Sequence, residues 1–139
     1  MRRLISLVGI VLSLVVLACG GSDSTSPTPI SLAGTWNLST VNGSALPFTL
    51  QASNPKIELL NDQIIASAGG TFTETFNYRV TGSTGQVTTE PGTDSGTWTV
   101  NGTAVSFRFA SDGSTGTGTV SGNTFTVAQS GFSSVYIKQ

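Results

Sequence analysis

Thr71-Phe72-Thr73-Glu74-Thr75-Phe76-Asn77-Tyr78-Arg79-Val80-Thr81 is the run that decides the fold. Phe72, Phe76, Tyr78 and Val80 fall on alternate positions, with Thr71, Thr73, Thr75, Asn77 and Arg79 between them. Successive side chains of an extended strand point to opposite faces, so this run has one dry face and one wet face. Two further stretches repeat the pattern. Val105, Phe107 and Phe109 oppose Ser106 and Arg108, and around the last hairpin Val120, Phe125 and Val127 oppose Thr119, Thr124 and Thr126. Sheets with one wet face are antiparallel, and a succession of such hairpins closes most simply into a meander barrel.

Outward from these runs, short segments rich in Thr, Val and Phe follow one another from Ile30 onward, broken by Gly, Asn, Asp or Pro. The strand candidates are Thr35–Val41, Phe48–Ala52, Lys56–Leu60, Gln63–Ser67, Thr71–Thr81, Gly96–Val100, Ala104–Ala110, Thr115–Val120, Thr124–Ala128 and Ser133–Ile137. Some of these merge, giving an all-β antiparallel barrel of eight to nine strands. The segment from Gln63 to Ala68 can also be read as a helical turn or two, but its β-branched residues and the following Gly69-Gly70 favour a strand. A weak repeat aligns Gly96-Thr97-Trp98-Thr99-Val100-Asn101-Gly102 with Gly116-Thr117-Gly118-Thr119-Val120-Ser121-Gly122. Its Asn101-Gly102 pair predicts a type I′ hairpin turn.

The first nineteen residues govern location. Arg2 and Arg3 precede an apolar and small-residue run from Leu4 to Ala18, which closes on Val16-Leu17-Ala18-Cys19. This layout reads as a secretory leader, too short for the ~20 residues of a membrane-spanning helix. It resembles the lipobox of bacterial lipoproteins. That resemblance implies lipidation of Cys19, removal of residues 1–18 and anchoring to a membrane of the cell envelope. Gly20 rather than an aspartate follows the cysteine, which points to the outer membrane in a Gram-negative host. Residues 19–30 then form the lipidated cysteine and a Gly/Ser/Thr/Pro-rich tether, and residues 31–139 the folded domain. Cys19 is the only cysteine, so no disulfide framework is present.

Composition removes several function classes. Charged residues make up 9% of the chain, with six basic and seven acidic side chains and no basic cluster, which excludes a nucleic-acid binder. There is no histidine, hence neither the commonest general base nor the commonest zinc ligand. The serines have no histidine to activate them and no Gly-x-Ser-x-Gly elbow is present. Glu90 and Asp94 are read as parts of a Pro-Gly turn, in the stretch Glu90-Pro91-Gly92-Thr93-Asp94, and not as a catalytic carboxylate pair. Neither Asp94 nor Asp112-Gly113 has the spacing of a calcium loop. The expectation is a protein without catalytic residues, metal or cofactor.

Gly34-Thr35-Trp36, at the start of the first strand, resembles the Gly-x-Trp signature of lipocalins and bacterial lipocalin-like domains. The resemblance implies a barrel whose closed end is plugged by Trp36. The family's internal Thr-Asp-Tyr motif and its arginine over the tryptophan are not recognisable here, and Lys138 is the one cation placed to substitute.

The candidate ligand or core residues are Trp36, Phe72, Glu74, Phe76, Tyr78, Trp98, Phe107 and Phe109. Glu74 shares the parity of Phe72 and Phe76, and a carboxylate on a dry face needs a partner or must protonate. It is either a polar anchor in an internal cavity or a wet side chain at a local bulge, and the second reading is preferred. Trp98, whose counterpart in the repeat is Gly118, is read as a core side chain that fills barrel taper, with a carbohydrate platform as the alternative. Seven Phe, two Tyr and two Trp favour an interior filled by side chains. Two functions follow: a membrane-tethered lipocalin-like barrel that binds a small apolar ligand or serves passively, and an interaction or inhibitor module for an envelope protein or glycan.

Overall fold

The computed structural model describes residues 30–139. The leader, Cys19 and the tether up to residue 29 lie outside these residues. Ten strands form in chain order: β1 Gly34–Val41, β2 Ser44–Ala45, β3 Phe48–Gln51, β4 Lys56–Ala66, β5 Thr71–Thr81, β6 Val87–Asn101, β7 Ala104–Phe109, β8 Thr115–Ser121, β9 Thr124–Gln129 and β10 Phe132–Lys138. Every pairing is antiparallel. β4 through β10 pair in sequence, β10 pairs with β1, and β1 pairs back onto β4. These eight strands make a closed barrel, and β2 and β3 add to its rim.

Closure follows from the alternation. The inward faces of β5, β7 and β9 bring together Phe72, Phe107, Phe109, Phe125 and Val127, all buried, and a flat sheet would leave them in water. Edge-to-face contacts join Phe72 to Phe107 and Phe109, with ring centroids 5.5 and 5.4 Å apart. Phe125 in turn meets Phe107 at 5.3 Å and Trp36 at 5.6 Å.

The two ends differ. Chain entry and the β4–β5, β6–β7 and β8–β9 turns lie at one end, where Leu32, Trp36, Val105 and Val120 are fully buried. Trp36 has no exposed surface, its indole N–H donates to the Leu32 carbonyl at 2.7 Å, and Lys138 Nζ lies 5.2 Å from its ring centroid. An ammonium thus lies over the face of the closed-end tryptophan. The opposite end is the mouth, framed by the β1–β2, β5–β6, β7–β8 and β9–β10 connections.

Three expectations are corrected. Lys56–Leu60 and Gln63–Ser67 are one strand, β4, joined across a bulge between Leu59 and Asn61, and the segment from Gln63 continues extended to Ala66 with no helical turn. Glu90 to Asp94 is not a turn: β6 runs through it, pairing Pro91 with Asn77 and Gly92 with Phe76. β7 covers β6 only from Gly96 onward, so Pro91 lies where β6 has a neighbour on one side, the kind of position at which a strand tolerates proline. The Phe76 ring lies so close over Gly92 that an added Cβ would approach its Cε2 within 1.8 Å, which explains the glycine as a packing requirement. Thirdly, the β6–β7 connection is Gly102-Thr103, with positive φ at Gly102 alone (62°), which departs from the type I′ pattern expected for Asn101-Gly102.

Candidate functional site

β4 and β5 place two carboxyl groups inside the barrel. β5 is unbroken from Thr71 to Thr81 and keeps Glu74 in parity with Phe72, so Glu74 faces inward and the preferred wet reading is corrected. On β4 the bulge at Leu60 shifts the alternation by one residue, which turns Asp62 inward in line with Ile64 and Ala66. Glu74 lies opposite Ile64 on one side and Asp94 on the other.

Both carboxyl groups line a cavity of about 170 Å³ toward the mouth. Its walls are otherwise largely apolar, including Leu59, Ile64, Phe72, Phe109 and Val127, with Tyr78, Tyr136, Gln129 and Ser134 as further polar groups. The expectation of a filled interior thus fits the Trp36 end and not the mouth side. The hollow arises where β4, β5 and β10 present carboxyl and hydroxyl groups instead of bulky apolar ones.

The electrostatics are unbalanced. Asp62 is 9% exposed; its Oδ2 accepts a 2.8 Å hydrogen bond from the Tyr136 hydroxyl, while its buried Oδ1 is reached by no N–H or hydroxyl group. The Glu74 carboxyl is within hydrogen-bonding reach, which joins the two groups only if one is protonated. Burial, reinforced by the Asp62 charge, pushes Glu74 up to about 8. Burial also raises Asp62, with the Tyr136 and Glu74 hydrogen bonds acting against it. Tyr136 therefore favours charge on Asp62, and the shared proton resides on Glu74. Burial and the Asp62 charge hold Tyr136 well above the usual phenol range, so it stays a donor. Asp94 is satisfied separately by the Ser95 N–H and the Ser111 hydroxyl, each at 2.7 Å.

Among the described residues no cation offsets this. Lys56 and Arg79 clamp Glu58 outside the cavity, each 2.9 Å from a different carboxylate oxygen, Lys138 lies over Trp36, and Arg108 is exposed on β7. Among the described residues no three acidic side chains converge in a manner that could hold a metal ion.

Of the sequence candidates, Phe72, Glu74, Tyr78, Phe107 and Phe109 meet at the cavity. Trp36 belongs to the closed end, and Phe76 covers Gly92 and packs on Tyr78 at 5.0 Å outside the cavity wall. Trp98 is half-buried near the β4–β5 turn, donating its indole N–H to the Thr71 carbonyl at 3.1 Å. Asp62 and Tyr136 were not among the candidates. An unbroken alternation counted from Leu59 points Asp62 outward, and Tyr136 sits in a run, Phe132-Ser133-Ser134-Val135-Tyr136-Ile137, whose apolar residues fall on both faces.

A closed, antiparallel eight-stranded barrel, sealed by a buried tryptophan at one end and hollow toward the other, is the architecture of a small up-and-down β-barrel. The chain belongs to the lipocalin-like domain family, whose pattern it matches over residues 32–127. Among solved structures, a lipocalin-like protein from Bacteroides uniformis ATCC 8492 is similar at 17% identity and a TM-score of 0.42, covering 78% of this chain and 98% of that one. No curated protein matches the sequence.

Proposed function

We propose that the protein is an envelope lipoprotein, anchored through lipidated Cys19, whose barrel takes up one small amphipathic molecule in the cavity between β4, β5 and β10. The observation that carries the binding reading is a hollow of about 170 Å³, apolar along most of its wall, with polar groups converging from one side. An engineered cavity of about 150 Å³ accommodates benzene, so this one suits a molecule of one ring or a short chain rather than a whole lipid. Anchoring rests on the Leu4–Cys19 stretch and its likeness to a lipobox.

Titration of the folded domain with benzyl alcohol, followed by NMR of the Phe72, Phe107 and Phe109 ring signals, tests the binding reading. Saturable shifts confined to the cavity lining are expected, and they should vanish in Ser134→Leu, which fills part of the space. Absence of saturable binding to the native domain defeats the reading. For the anchor, metabolic labelling with a tagged fatty acid should mark the full-length chain and leave Cys19→Ser unmarked.

A further inference from the structure

We propose that the cavity ligand is a small organic amine, bound as its ammonium ion with the N–H groups on Asp62 and Glu74 and the apolar body against Leu59, Ile64 and Phe109. This deepens the binding reading above and rests on it.

Three observations point to such a ligand. Asp62, only 9% exposed, faces the cavity with one buried oxygen that no N–H, Ser, Thr or Tyr hydroxyl reaches, so the ligand-free pair depends on a single proton shared with the Glu74 carboxyl. A buried, incompletely paired carboxylate is costly, and the cost is removed by a donor that also carries positive charge. Secondly, all four cationic side chains of residues 30–139 are engaged or placed elsewhere, so the protein supplies no counter-charge of its own. Thirdly, the acidic side chains of the described residues do not converge as metal ligands, and the remaining wall is mostly apolar and aromatic, which suits an organic cation better than a hydrated inorganic one.

The titratable groups lining the site are Asp62 from β4, Glu74 and Tyr78 from β5 and Tyr136 from β10, and the Asp94 charge on β6 acts on Glu74 without lining the cavity. The ligand-free pair is held by the proton on Glu74. An entering ammonium supplies N–H donors to both carboxyl groups, and the Glu74 proton leaves to solvent. Amine binding is thus linked to release of up to one proton below the Glu74 value, and affinity rises with pH until Glu74 is ionised in the free protein or the amine itself loses its charge.

The experiment is calorimetric titration of the folded domain with benzylamine and with benzyl alcohol, which share a ring and differ in the charged head. Benzylamine is expected to bind at least about tenfold more tightly at pH 8, since hydrogen bonds between charged partners exceed neutral ones by about that factor. Its advantage should grow between pH 6 and pH 8, with proton release read from buffers of different ionisation enthalpy. Asp62→Asn should abolish the preference while benzyl alcohol still binds, which also shows that the variant is folded. Equal or weaker binding of the amine than of the alcohol overturns the amine assignment and leaves the binding function standing; binding of neither overturns both. A preference that survives unchanged in Asp62→Asn and Glu74→Gln also overturns the assignment.

Discussion

Glu74 and Asp62 are two carboxyl groups brought side by side with one proton between them, and that proton should be visible in stability. Glu74 titrates at about 8 in the folded protein against 4.5 when unperturbed. Between these values the folded chain holds a proton that the unfolded chain has lost, so stability falls as pH rises from about 4.5 to about 8 and is flat beyond. Glu74→Gln keeps the hydrogen-bond geometry without the charge. It should raise stability at pH 8 by about 1–3 kcal/mol, seen as a higher thermal midpoint, and remove most of the slope, as followed by circular dichroism. Tyr136→Phe should act in the opposite direction: Asp62 Oδ2 loses its donor, at a cost of about 1–3 kcal/mol in urea denaturation. Glu58 behaves differently, because the Arg79 and Lys56 hydrogen bonds pull its carboxyl down to about 2. A depressed value stabilises above the unfolded value near 4.5, and this contribution is lost as pH falls from there toward about 2. Glu58→Gln should therefore flatten the acid limb of the stability curve while leaving the limb above pH 5 to Glu74.

At the scale of the strand, the sequence is most legible where side chains alternate without interruption. β5, β7 and β9 follow from parity, because two-residue periodicity in an antiparallel sheet maps directly onto inside and outside. β4 resists the same reading because the bulge at Leu60 reverses parity midway, and a bulge leaves little local mark when both neighbours, Leu59 and Asn61, are ordinary strand or turn residues. The reversal hid Asp62, and with it half of the candidate site. β6 was obscured in another way. Pro91-Gly92 carries the chemistry of a turn, but β5 supplies a long enough partner to hold it extended, and the glycine answers to the Phe76 ring. The Asn-Gly pair that does adopt positive φ at both residues is Asn42-Gly43 (49° and 78°), between β1 and β2. Pro91 also guards the part of β6 that has one neighbour only. Pro91→Val restores a backbone N–H and a strongly β-forming side chain there, and should promote self-association, measured as a concentration-dependent rise in sedimentation coefficient.

For the molecule as a whole, strand count and alternation were enough to expect a barrel, whereas its partial hollowness was not readable, since a void depends on how side chains from distant strands meet. Eleven aromatics are present, but Trp36, Phe125 and Phe107 concentrate at and above the closed end. That end bears much of the stability. Trp36→Ala should cost about 3–5 kcal/mol, a large share of the 5–15 typical of a domain, and thermal unfolding should show it directly. The chain also enters the barrel at that end, with Leu32 buried against Trp36 before β1 begins. Held by Cys19 as proposed, the domain would be moored by its base like an upright cup. Its mouth lies at the far end of the barrel from that mooring point, so the tether would not obstruct entry to the cavity.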